Sequence, residues 1–255
     1  MSQWVIKGIR TGIKSTTYPS SGEFAAGVTP GLPRAVVAGE HTAALLACCP
    51  TGALAHIEGK VVVDYRRCIH CYRCVRELPQ ALDWQMSYEW AGAHTATSPV
   101  KVLEQPFKHS VNILVVDAGD CGACLNEVRQ LNNPYYNMHR LGFFITPSPR
   151  HADLLLVVGT VTDHMRVPLK KIYDAMPAPK RVVAAGSCAL SGGVFAESFV
   201  CSGGVAGLLP VDVEVPGNPP PPLAILHGLL VAVGRKPPAS LADTQPGHQP
   251  DAEGH

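Results

Sequence analysis

The rhythm of apolar and polar positions changes near residue 111. Beyond it, "VNILVVD" and "ADLLLVVG" are short continuous apolar runs, and "RVVAAG" and "VDVEV" are weaker runs of the same kind. Helical spacing appears between them, around "CLNEVRQL", "VPLKKIYDAM" and "LAILHGLLVAVG". Buried strands alternating with helices predict an α/β fold with a mostly parallel sheet. Upstream, residues 3–14 place Ile6, Ile9 and Ile13 on one helical face, with Lys7, Arg10 and Lys14 in a stripe beside it. That is the pattern of a short basic amphipathic helix, which lies on a membrane surface, docks on a membrane partner, or packs on its own domain. The stretch "TTYPSSGEFAAGVTPGLPR" is rich in turn formers and reads as irregular.

These shifts divide the chain into an N-terminal helix and irregular segment (1–35), a small cysteine-bearing domain (36–85), a connector without clear period (86–110), the α/β domain (111–234), and a polar, Pro- and Gly-rich tail (235–255) expected to be flexible. No apolar run reaches the roughly 18–20 residues that a spanning helix needs. The start, "MSQWVIKGIR", lacks the apolar core and cleavage site of a signal peptide, so a cytoplasmic location is expected.

A net charge of +1 with 16% charged residues gives no basic surface for nucleic acid, so any membrane attraction has to be local. Walker A, H-E-x-x-H and G-x-S-x-G patterns are missing from the sequence. The informative residues are the nine cysteines. Their number is odd and several fall in C-x-x-C spacing, which suits thiolate ligands better than disulfides.

In "CIHCYRCVRELP", Cys68, Cys71 and Cys74 have the C-x2-C-x2-C spacing of bacterial ferredoxins, with Leu78-Pro79 where a fourth Cys and its Pro would follow. In two-cluster ferredoxins that fourth Cys serves the other cluster. The complementary pattern stands upstream. Cys49-Pro50 supplies a fourth ligand, while Gly39, Thr42 and Leu45 occupy the three positions before it. The two losses are mutually consistent and predict one [4Fe–4S] cluster on Cys49, Cys68, Cys71 and Cys74 in a ferredoxin-like α+β domain whose other site is emptied. A four-thiolate zinc site fits the residue types but not this correlated gain and loss. Cys48 is read as a small buried residue. The segment from "IKGIRTGIKSTTYP" to "CVRELP" resembles the ferredoxin-like subunits of complex I and of formate hydrogenlyase; that resemblance implies a basic N-terminal helix near a membrane arm.

A second set follows the predicted strands: Cys121 and Cys124 in "DAGDCGAC", Cys188 in "GSCALSGGVF", and Asn218 in "VPGN". Loops leaving the carboxyl ends of parallel strands converge on one edge, where ligands bind, and neighbouring glycines let backbone approach a cluster closely. With "SPRHADLLLVVGTVTDHMRVPLKKIYDAMP" and "PVDVEVPGNPPPP", these motifs make residues 111–233 resemble the small subunit of membrane-bound [NiFe] hydrogenases of the formate hydrogenlyase type and its complex I 20 kDa homologue. Asp120 stands where complex I has a second, tandem Cys, which aligns the chain with the hydrogenases.

The resemblance implies a flavodoxin-like domain and a cluster on Cys121, Cys124, Cys188 and a fourth position that is Asn218 here. A neutral amide is a poor replacement for thiolate on iron. Four outcomes stay open: a three-cysteine [4Fe–4S] cluster with weak oxygen ligation from Asn218 or water, recruitment of Cys201, a three-iron cluster, or an empty site. Loss of one thiolate should raise the reduction potential. Cys201 and Glu127 are read as a packed thiol and a helix-surface carboxylate.

The whole then looks like a natural fusion of a ferredoxin-like subunit with a hydrogenase small subunit. By resemblance it is an electron-transfer subunit without a substrate pocket, peripheral on the inner side of the cell membrane. The implied partners are a large hydrogenase- or quinone-reductase-like subunit, antiporter-like membrane subunits and other electron-transfer proteins. The competing reading is a structural or regulatory subunit of an ion-translocating complex with a redox-inactive site in the α/β domain.

Overall fold

A computed structural model describes residues 3–22, 27–79, 81–93, 109–195 and 197–239. In chain order the elements are α1 (Gln3–Thr11), β1 (Leu32–Pro33), β2 (Val36–Val37), α2 (Thr42–Cys48), β3 (Leu54–Ile57), β4 (Lys60–Val63), α3 (Arg73–Glu77), β5 (Trp84–Gln85) and β6 (Gly92–Ala93). There follow β7 (Val111–Asp117), α4 (Ala123–Gln130), β8 (Phe143–Ile145), β9 (Leu154–Val158), α5 (Asp163–Ala175), β10 (Arg181–Ala185), α6 (Ser187–Ser191), β11 (Glu197–Ser198), β12 (Cys201–Ser202), β13 (Val213–Val215) and α7 (Pro222–Ala232). Residues 94–108 of the connector and 240–255 of the expected tail lie outside the described residues.

The main sheet has six strands in the order β6-β13-β10-β9-β7-β8, with β6 antiparallel and the other five parallel. Counted along the chain, the parallel strands stand in the order 2-1-3-4-5, the flavodoxin-like winding. The apolar runs explain the layering. Val111 and Ile113 of β7, with Leu154 and Leu156 of β9, join the core under α7, while Leu114, Val116, Leu155 and Val157 join the core under α5. Because β9 is buried on both faces, its sequence is a continuous apolar run instead of an alternating one. Helix α7 starts on Pro222 and is apolar around its circumference; all of its residues are buried. Among the described residues no helix is long and apolar enough to cross a membrane.

Two strands escape the sequence pattern. β8 is three residues long at the sheet edge, with one buried residue, Phe143. β6 lies in the stretch read as a connector and pairs with β13 through Val213↔Ala93 and Glu214↔Gly92. Tertiary contacts hold it there: Trp90 Nε1 donates to the Pro216 carbonyl at 2.8 Å, and the Ala91 N–H donates to His227 Nδ1 at 3.1 Å.

Upstream, β2, β4 and β3 form a small antiparallel sheet whose β3–β4 hairpin turns on Glu58 and Gly59, both at positive φ. Leu45 of α2 packs with Leu54, Val61 and Leu82, and Leu78 lies against this cluster. Leu45 and Leu78, two positions counted as lost ligands, thus belong to an apolar core. Helix α1 buries none of its residues; Trp4 is 75% and Ile9 74% exposed.

Candidate metal centres

Cys49, Cys68, Cys71 and Cys74 line one pocket, walled by Pro33, Ile69 and Trp84 among others. Cys49 sits just after α2 and Cys74 in the first turn of α3; Cys68 and Cys71 lie on the loop before it. That loop is held in an unusual conformation. His70 and Tyr72, which flank Cys71, both adopt left-handed backbone (φ 51° and 57°), rare for residues with a β-carbon. Side chains fix it: the Tyr72 hydroxyl and Trp84 Nε1 both donate to the Pro30 carbonyl, at 2.9 and 2.7 Å, and the two rings lie 4.7 Å apart.

The sulfurs influence one another. Burial pushes the Cys68 thiol up to about 12; the His70 backbone opposes this, and the charges of Cys74, Cys49 and Cys71 add to it. Cys74 is raised in the same way, first by burial. Cys49 is the opposite case. Burial pushes it up, but hydrogen bonds around its sulfur outweigh that and lower its pKa; one is the Ala53 N–H, 3.2 Å from Sγ. Buried thiols of this kind ionise when a cation takes the proton's place, so ligation and proton release are coupled.

The second set is assembled from loops at the carboxyl edge of the parallel sheet, as the winding requires. After β7, Asp117 Oδ1 accepts from the backbone N–H groups of Gly119 and Asp120 at 2.8 and 2.6 Å. Asp120 in turn accepts from the Leu125 N–H at 2.9 Å, setting the start of α4 and placing Cys121 and Cys124. After β10, Ser187 donates its N–H to the Gly217 carbonyl of the β13 loop at 2.8 Å. Cys124 and Cys188 are buried and Cys121 is exposed. Burial, then Asp120, then Cys188 and Cys121 push the Cys124 thiol up; burial, then Cys121 and Asp120, do so for Cys188.

Gly186 is where a glycine of this set comes nearest a cysteine sulfur. Its φ is +93°, and a β-carbon there would come within 2.6 Å of Cys124 Sγ. Cys124 and the loop of Cys188 are therefore in contact.

Asn218 lies on the β13 loop, and its Nδ2 donates to the carbonyl of Ile69 at 3.2 Å. Its amide nitrogen is thus turned to the loop of the first cysteine set. Two further contacts join the same regions: Arg66 Nε pairs with the buried Glu214 carboxylate at 2.7 Å, and Ser191 Oγ donates to the Arg66 carbonyl at 2.8 Å. Asn218, His70, Tyr72, Tyr136 and Glu127 line a cleft of about 430 Å³ between the two sets. Burial raises the pKa of Glu127. The two leftover cysteines are buried thiols: Cys48 Sγ lies 3.1 Å from the Leu45 carbonyl, and Cys201 Sγ 3.1 Å from Ser198 Oγ.

Among the described residues no group of three or more His, Cys, Asp or Glu is arranged to hold a single metal ion. The fit to an iron–sulfur group rests on the shared pocket, the thiol donors and one poorly partnered polar side chain. His70 is 9% exposed and lines the four-cysteine pocket; the Gly31 and Cys68 backbone lies against its ring, but neither ring nitrogen makes a well-aligned hydrogen bond among the described residues. Sequence reasoning passed over His70, Arg66 and Glu214. A histidine between two cysteines in C-x-x-C spacing was the visible signal for the first; the pair is 148 residues apart, and nothing local announces it.

Known proteins resemble this chain over its second half. The family model described as NADH ubiquinone oxidoreductase, 20 Kd subunit, matches residues 121–232. A probable membrane-bound hydrogenase subunit mbhJ of Pyrococcus furiosus is 41% identical over 139 residues, which cover 54% of this chain and 80% of that one. The chain belongs to this family. Formate hydrogenlyase subunit 7 of Escherichia coli is 39% identical over 132 residues, 52% of each chain. An NADH-quinone oxidoreductase subunit of Clostridium beijerinckii is 48% identical over 108 residues, 42% of this chain and 64% of that one. The chain therefore spans about half of the first of these two relatives and just under two thirds of the second.

Proposed function

We propose that this protein is the iron–sulfur electron-transfer subunit of a membrane-associated, hydrogenase-like or complex I-like oxidoreductase complex. It relays electrons between a [4Fe–4S] cluster on Cys49, Cys68, Cys71 and Cys74 and a large catalytic subunit, through a second cluster on Cys121, Cys124 and Cys188. The observation that carries the reading is the placement of seven cysteines in two sets, on loops tied to one another by the Asn218–Ile69 hydrogen bond. Bound clusters supply one-electron chemistry, and the chain's own residues bury, hydrogen-bond and space them.

Residues of the chain have distinct parts in this. Ala53 donates its N–H to Cys49 Sγ and favours the thiolate. Gly186 leaves room for the Cys124 sulfur. Arg66, Glu214, Ser191 and Asn218 fix the first loop on the sheet edge that bears the second set. The exposed apolar face of α1, flanked by Lys7, Arg10 and Lys14, suits an anionic membrane surface or a membrane subunit. In this reading the complex is peripheral to the inner side of the cell membrane, its partners being a large hydrogenase- or quinone-reductase-like subunit and antiporter-like membrane subunits.

Iron and acid-labile sulfide per chain after anaerobic purification, with electron paramagnetic resonance of the reduced protein, test the proposal. About eight irons per chain are expected. Zinc without sulfide would overturn it. About four irons, retained in Cys124→Ser and lost in Cys71→Ser, would favour a structural or regulatory subunit with a redox-inactive second site. The observation on that side is the Asn218 amide, which is engaged with Ile69.

A further inference from the structure

His70 is the one residue of the first cysteine loop whose chemistry the proposed relay leaves unused. It lies between Cys68 and Cys71, is almost fully buried, and lines both the four-cysteine pocket and the cleft toward Asn218 and Glu127. Its ring is confined: that of Trp90 stacks on it at 6.3 Å and that of Trp84 meets it edge-on at 6.1 Å. The backbone of Gly31 and Cys68 lies against the ring and opposes the lowering of its pKa by burial, but neither ring nitrogen makes a well-aligned hydrogen bond. An imidazole so poorly partnered is costly to bury, because it has given up its hydrogen bonds to water for contacts that replace them only in part. The loop also adopts left-handed backbone at His70 itself, where glycine or asparagine is the ordinary choice. A strained conformation thus holds a poorly partnered imidazole in the wall of a pocket lined by four thiols.

We infer that His70 donates an N–H···S hydrogen bond to the cluster held by Cys49, Cys68, Cys71 and Cys74, and sets its reduction potential above that of the same site without the donor. The inference rests on the cluster reading above. Reduction adds negative charge to a cluster, and a hydrogen bond to its sulfur stabilises the reduced form more than the oxidised one. His70 is then a tuning residue; it ligates no iron and enters no bond-making step. Its ring also borders the cleft that Asn218 and Glu127 line, so the residue stands on the side of the first cysteine loop that faces the β13 loop.

The test uses the full chain with its clusters, grown with ¹⁵N-histidine, reduced, and studied by pulsed electron paramagnetic resonance and by redox titration. A ¹⁵N coupling on the first cluster is expected, lost in His70→Phe, together with a midpoint potential shifted to more negative values in that variant and partly restored in His70→Gln. A reduced first cluster without ¹⁵N coupling in the unmutated protein would overturn the inference even if the variants fail to fold. An unchanged potential in a His70→Phe protein that keeps its iron would do the same. Absence of iron and sulfide from the unmutated chain is a different result, and sinks the cluster reading itself.

Discussion

Replacing Gly186 by alanine perturbs the second cysteine set where a glycine comes nearest a cysteine sulfur. The residue has φ +93° and ψ 147°, a region that L-residues essentially do not enter, at a cost of about 1–3 kcal/mol. The new β-carbon would lie 2.6 Å from Cys124 Sγ, against a comfortable separation of about 3.5–4 Å, so the sulfur or the loop has to yield by about 1 Å. Cys124 is 1% exposed and sits in the main core, which leaves it nowhere to go without moving its neighbours. Gly122 provides the matched control: its φ is +94°, yet a β-carbon there meets nothing within 4 Å. Gly122→Ala should cost about 1 kcal/mol of stability and keep the second cluster. Gly186→Ala should lose that cluster, about four irons per chain, while the first stays; iron and sulfide analysis beside denaturant unfolding of both variants measures this. Full iron content in Gly186→Ala, with an unchanged resonance signal, would show that Cys124 does not ligate at the observed position.

Four further outcomes are expected. His227 is buried against the edge strand, and burial lowers its pKa to about 4, with Glu89 pulling up and Lys236 pulling down. The unfolded chain takes up that proton near 6.5, so stability from this site is full above about pH 6.5 and lost as pH falls through 4, by about 3 kcal/mol; denaturant unfolding against pH should flatten over that window in His227→Gln. Asn218→Ala should cost about 1 kcal/mol by removing the bond to Ile69 and leave iron content unchanged. Asn218→Cys should alter the second cluster's resonance, and an unaltered signal places residue 218 away from it. Ile9→Glu on the exposed face of α1 should weaken binding to anionic vesicles about tenfold or more in a sedimentation assay, because burial of such a side chain is worth about 1.5–3 kcal/mol; equal binding would remove α1 from the membrane contact.

Much of this was legible in the residue string. The four strong or weak apolar runs became β7, β9, β10 and β13, because strands buried on both faces must be apolar along their length. The cysteine spacings were local or sat at strand ends, so the winding rule alone brought Cys121, Cys124 and Cys188 to one edge. Leu45 and Leu78, read in the sequence as positions where ferredoxin-type ligands are missing, lie in apolar packing. Strands β6 and β8 were not visible, since two or three residues at a sheet edge carry no period and are held by partners far away in sequence.

What tertiary structure alone decided is how the two halves meet. Nothing in "VPGNPPPP" says that the Asn218 amide faces Ile69, nor in "VDVEV" that Glu214 is matched by Arg66, because each contact spans more than a hundred residues. The same holds for His70, which is buried with no well-aligned hydrogen bond only once Trp84, Trp90 and the cysteine loop have closed around it. Sequence determined which side chains are able to ligate, since that is a property of residue type and spacing. Folding determined which of them share a pocket and what faces them, since burial and long-range contact belong to the closed chain.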